Sequence, residues 1–233
     1  MNVIISVGIL VFAMLIFAFL QLVPGIFLLF HQYASGKYSK NRSTDLITFF
    51  ILGVETTVAL IFLSLLFILG ISPAITHAVD NDIFSWIMSG VFFAAAIALF
   101  MFYYRRGRGS KLFIPRRLAS HYQAKIPTIK TRSDAFVFGL IAGVPELCFT
   151  LPVYIIATTT MNQLGLSSPE HAGLIILFAL AAVLPLFLFH IFTHTYNFAD
   201  LIRFRFKHKS FFRFCLSFFY FLIAIFIIMG VLI

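Results

Sequence analysis

The sequence predicts an all-α, polytopic membrane protein of six transmembrane helices, and three observations carry that expectation. Of its 233 residues 61% are hydrophobic and 11% charged, with a mean hydropathy of +1.04. That leaves too little charged surface to keep a soluble domain in water. Apolar runs recur six times at or near the ~20 residues needed to cross a hydrocarbon core. All 17 lysines and arginines fall in alternate connections between those runs. Buried in lipid, the backbone of such runs must satisfy its own hydrogen bonds, so each is expected to be a helix.

The spans are expected at 2–30, 46–71, 84–104, 134–160, 172–196 and 214–233, as one transmembrane domain over 1–233. The first begins apolar with no basic leader and runs on past 22, so it reads as a retained helix rather than a cleaved signal peptide. Gln21, Pro24 and Gly25 interrupt it. The second carries Glu55. The third opens with Trp86, placed to anchor at the membrane interface. The fourth carries Glu146 between Pro145 and Pro152, each of which removes a backbone donor and should bend or open the helix. The fifth holds Pro185, His190 and His194, and the sixth has Cys215 at its start. The 32 phenylalanines read by default as lipid-facing filler.

Orientation follows from the connections. Segment 31–45 holds three basic residues, 105–133 nine and 197–213 five, whereas 72–83 and 161–171 hold none. The positive-inside rule then places the three basic connections in the cytoplasm and both termini outside. A net charge of +9 that sits between apolar spans points to anionic lipid headgroups as partners, not to nucleic acid.

Candidate chemistry centres on the two intramembrane acids. A carboxylate near mid-membrane costs at least ~2.5 kcal/mol to insert, so Glu55 and Glu146 should face the bundle interior. They read as a cation or proton site, or as neutral groups bonding helix to helix. Gly139, Gly143, Glu146, Thr150 and Tyr154 share one helical face by their spacing. The expected solute or ion site is Glu146 and Glu55 with Gln21, Pro24, Gly25, Gly143, Pro145, Thr150 and Tyr154. Val23-Pro24-Gly25 and Val144-Pro145-Glu146 stand in the first helices of two three-helix halves, 1–104 and 134–233. Three is odd, so the halves run in opposite directions, the arrangement of inverted-repeat transporters. His190 and His194 are one turn apart and could chelate a metal, although a polar cytoplasmic helix end is the expected reading. Nucleophile-and-base pairs, phosphate-binding loops and cofactor motifs are missing, so no enzyme and no cofactor is expected.

Leu22-Val-Pro-Gly25, the short polar loop with Gly36 and Lys37, Gly53-Val-Glu55, the basic third connection and the run 139–152 together resemble the LysE/DsbD-type (lysine exporter) superfamily. The resemblance implies a six-helix inverted repeat that exports a small solute. Where those exporters carry an Asn-Pro-Lys in the fourth helix this chain has Val144-Pro145-Glu146. That exchange turns the expected cargo from an amino-acid carboxylate toward a cation or cationic solute. The function expected is a proton-coupled secondary exporter of a bacterial cytoplasmic (inner) membrane, working by alternating access. The alternative is a non-catalytic membrane scaffold that binds partner transmembrane helices.

Overall fold

The computed structural model describes residues 3–34, 40–71, 82–102, 124–142, 147–193 and 207–232. Among them the chain forms helices α1 (Val3–Ala34), α2 (Lys40–Ile71) and α3 (Asp82–Phe102). A 3-10 turn at Ile126–Thr128 follows, then α4 (Arg132–Ala142) and α5 (Leu147–Gln163). Helices α6 (Ser168–Thr193) and α7 (Lys209–Leu232) complete the chain. The described residues form no strand.

Among the described residues three stretches are long and apolar enough to cross a membrane: Asp45–Ile68, Asp82–Met101 and Ser210–Leu232. Val3–Phe19 and Ser168–Ala181 are shorter apolar helical stretches. The outward faces match this chemistry. Leu60, Phe67, Ile87, Ile97, Phe211 and Leu232 are each more than half exposed. In water each such side chain forgoes ~1.5–3 kcal/mol of burial, a loss that lipid removes. The arrangement is that of a membrane protein. Trp86 is also half exposed at the start of α3.

The helices overrun the apolar spans because polar caps extend them. At the start of α4 the Thr131 N–H donates to the Asp134 carboxylate at 2.9 Å, and the Asp134 N–H donates to the Thr131 hydroxyl at 3.1 Å. At α6 the N–H and hydroxyl of Ser167 both donate to Glu170, each at 2.7 Å. The first is a reciprocal capping box and the second its carboxylate half, and both satisfy otherwise orphaned helix-start donors. Between α5 and α6 the chain reverses at Gly165, whose φ of 62° only glycine adopts freely.

Two expectations are corrected. The first span is not broken at Gln21, Pro24 and Gly25: α1 is helical through all three. A proline removes one hydrogen bond, whereas unwinding within an apolar bundle would strand several, so the helix carries through. Pro152 likewise lies inside α5. The fourth span is described as two helices, α4 and α5, with 143–146 outside the described residues. Nor are the phenylalanines all lipid-facing filler. Phe17, Phe50, Phe62, Phe92, Phe138 and Phe178 are each at most 2% exposed, because flat rings fill the gaps between helices at low entropic cost.

Helices α3 and α7 form one of the two most extensive pairings, and they run antiparallel. The Ser89 hydroxyl donates to the Ala224 carbonyl at 3.4 Å, and the Ser217 hydroxyl to the Ala96 carbonyl at 2.7 Å. Between these bonds, Phe92 meets Tyr220 at 5.6 Å and Phe93 meets Phe221 at 5.2 Å between ring centroids. Helix α1 also runs antiparallel to α7, with Phe12 against Phe226 and Phe19 against Phe212. The other extensive pairing, α2 with α4, is parallel. The bundle therefore has two chemically distinct ends. One holds Arg42, whose guanidinium donates to the Lys130 carbonyl at 3.1 Å, and the Arg132–Asp45 ion pair. Arg213 lies over the Phe100 ring at this same end. The other end gathers Asp82, Asn162, Gln163 and Gly230 around a cavity.

Candidate functional site

Glycine decides how closely α2 and α4 approach. Gly53 and Gly139 face each other backbone to backbone. A Cβ on Gly53 would overlap the Phe136 carbonyl oxygen and stand 3.0 Å from the Gly139 Cα. A Cβ on Gly139 would overlap the Phe50 carbonyl in the same way. Backbone cannot swing aside as a side chain can, so neither position has room for alanine. Beside this contact the Thr57 hydroxyl lies 3.0 Å from the Leu140 carbonyl and 3.2 Å from that of Gly53. Leu140 belongs to the last described turn of α4, and Thr57 supplies its carbonyl with a donor from the neighbouring helix. Phe50 and Phe138 close the same interface, with centroids 5.7 Å apart.

The predicted polar stripe of the fourth span divides in the fold. Gly139 packs against α2 as described. Thr150 and Tyr154 are buried, at 2% exposure each. The Tyr154 ring sits in a four-helix aromatic cluster, 4.4 Å from Phe17 of α1 and 4.9 Å from Phe62 of α2. Phe178 of α6 completes it, 4.8 Å from Phe62 and 5.4 Å from Phe17, both edge-to-face. Gly143, Pro145 and Glu146 lie outside the described residues, at the junction of α4 and α5. Whatever the conformation there, Pro145 offers no N–H to the Ile141 carbonyl four residues earlier.

Glu55 is half-buried. It stands two residues beyond Gly53, at the border between the buried row Ile51, Val54 and Val58 and the exposed Leu52. Its carboxylate has no hydrogen bond or ion pair to any described residue. Gln21, Pro24 and Gly25 are placed on α1 by their backbone, as is His190 on α6, while His194 lies outside the described residues. No group of three potential metal ligands occurs among the described residues.

One polar feature was not anticipated from the sequence. The cavity at the end remote from Arg42 has a volume of about 410 Å³ and is walled by α1, α3, α5 and α7. Its signal in the sequence is the run Thr158-Thr-Thr160 followed by Asn162 and Gln163, hydrogen-bonding residues where an apolar span ends. No protein-family model, curated protein or solved structure matches this chain.

Proposed function

We propose that the chain is a secondary transporter whose six transmembrane helices form a 3+3 inverted repeat, with α4 and α5 together making the fourth. In this reading both termini face outward. The protein exports a small solute or cation across a bacterial cytoplasmic membrane in exchange for protons, by alternating access.

The reciprocal pairing of α3 and α7 carries the proposal. Ser217 is 128 positions after Ser89, and Ala224 is 128 positions after Ala96. Exchanging each residue for its counterpart turns the Ser89–Ala224 bond into the Ser217–Ala96 bond and leaves Phe92–Tyr220 and Phe93–Phe221 as they are. That is how two antiparallel copies of one helix meet across a two-fold axis. The same spacing runs through the chain. Val3, Lys40 and Asp82 open the helices of one half, and Arg132, Ser168 and Lys209 open those of the other, 129, 128 and 127 positions later. At a spacing of 128, Leu46, Ile47, Phe50, Leu52 and Leu60 stand opposite Leu174, Ile175, Phe178, Leu180 and Leu188. Pro24 stands opposite Pro152 rather than Pro145, and each is then 22nd or 21st from its half's first helical residue. Pairings across the halves follow the same exchange: α1 on α6 mirrors α2 on α4.

An inverted repeat supplies two equivalent conformations facing opposite sides, which is what alternating access requires. The aromatic cluster of Phe17, Phe62, Tyr154 and Phe178 draws two rings from each half and would act as the central barrier. Glu146 beside the α4–α5 junction, with Glu55, would exchange a proton for the cation. Without a nucleotide-binding motif, the driving force is an ion gradient.

The test is proton-coupled flux in proteoliposomes with a panel of cations and cationic amino acids. Flux by the intact protein that is lost in Glu146→Gln, with the folded protein recovered, supports the transporter. No flux with any cation from folded, correctly oriented protein overturns it in favour of the scaffold.

A further inference from the structure

We propose that the cavity at the end of the bundle remote from Arg42 and Arg132 binds a small organic ammonium ion. This site is separate from the Glu55 and Glu146 carboxylates and stands whether or not the protein transports.

Its walls select charge. Asp82, in the first turn of α3, is the one charged residue among the described residues that line it. Asn162 and Gln163 enter from the last turn of α5, and Gly230 and Val231 from the last turn of α7. The α5 C-terminus thus faces the cavity with the negative end of its dipole, while Asp82 offsets the positive end of α3, whose first turn shares the wall. A carboxylate and that helix end, with no lysine or arginine among the described lining, make a surrounding that favours a cation and opposes an anion.

Its size and composition select an organic one. A volume of about 410 Å³ holds many times the ~30 Å³ of a single water. Besides the polar groups the wall includes Ile9, Phe84, Ile156 and Ile227, which offer an alkyl chain an apolar surface.

Thr160 supplies a separate observation. It lies on the cavity wall at 1% exposure, and its hydroxyl is buried with no hydrogen-bond partner among the described residues. Its neighbours Thr158 and Thr159 each donate to a carbonyl of their own helix, at 2.8 and 3.0 Å. A buried hydroxyl left unpaired forfeits ~1–3 kcal/mol, and a ligand that enters the cavity and turns the Thr160 side chain toward it would recover that loss.

Equilibrium binding of butylammonium, butanol and butyrate to the full chain in nanodiscs tests this, read by saturation-transfer NMR against empty nanodiscs. The three probes share size and differ in charge. Butylammonium should give the strongest transfer and butyrate none above the empty discs. Asp82→Asn should weaken butylammonium binding about threefold to fivefold, as expected on removing a partly exposed ion-pair partner. Thr160→Val should weaken binding while raising the melting temperature of the free protein, whereas a hydroxyl with a structural role would lower it. Equal transfer from butylammonium and butyrate, or no change in Asp82→Asn, overturns the proposal. Displacement of butylammonium by equimolar sodium overturns its organic part, because the site would then be one for an inorganic cation.

Discussion

At the scale of single residues, the contact between Gly53 and Gly139 is the tightest constraint in the described fold. Gly53→Ala or Gly139→Ala must push α2 and α4 apart, and each is expected to lose about 1–3 kcal/mol. The control is Gly173 of α6, where a Cβ would meet nothing within 4 Å. Gly173→Ala should be neutral or gain up to ~1 kcal/mol from helix propensity. Reversible unfolding in mixed micelles compares the three variants directly. A second residue-scale expectation concerns pH. The Ser167 hydroxyl, and after it the Ser167 N–H, hold the Glu170 carboxyl below its ordinary value of 4.5. A depressed carboxylate contributes its stabilisation above the ordinary value and loses it as pH falls through the lowered one. The first turn of α6 should therefore lose amide protection only on acidification below the ordinary carboxylate range. Ser167→Ala should raise the Glu170 pKa toward 4.5, as read by NMR titration of the side chain.

Between elements, packing and polar bonds divide the work unequally. The two serine-to-carbonyl bonds joining α3 and α7 lie among apolar side chains, but interhelical bonds in membranes average only ~0.6 kcal/mol. Ser89→Ala and Ser217→Ala should each lose about that much, with Ser217 losing more because its bond is the shorter, 2.7 Å against 3.4 Å. The aromatic cluster is a different order of interaction. Phe62 touches rings from three other helices and is fully buried, so Phe62→Ala should lose ~3–5 kcal/mol. An unfolding series containing both kinds of variant would show whether α3–α7 pairing or the central cluster holds the bundle together. The serine bonds then specify register more than stability.

For the whole molecule, the asymmetry of its two ends is the organising feature. The described basic residues Arg42, Lys130, Arg132 and Arg213 gather at one end, and Asp82 lies at the other. In the proposed orientation a cysteine at the exposed Ser168 should react with a membrane-impermeant maleimide in intact cells, and one at Ser133 should not. The background for that experiment is Cys148→Ser with Cys215→Ser. Labelling in the reverse pattern would invert the topology and put the Asp82 cavity on the inner face.

Helix identity and charge sidedness are legible in the amino-acid sequence by itself, because both are local properties. A run such as 46–71 needs no partner to announce that its backbone must close its own hydrogen bonds, and Thr131-x-x-Asp134 marks a helix start from four residues. Glu170 and Ser167 are equally local. Register between distant helices is not. In the proposed repeat the shared Val-Pro dipeptide would pair Pro24 with Pro145, whereas the spacing read from the Ser89–Ala224 and Ser217–Ala96 bonds would pair it with Pro152. A dipeptide match arises easily by chance, but a register must satisfy many side chains at once, and those meet only in three dimensions. The inward phenylalanines and the cavity beside Asp82 escaped for the same reason. Phe62 and Phe67 are the same residue on the same helix, one buried and one exposed, and only the helices packed around them separate core from lipid face.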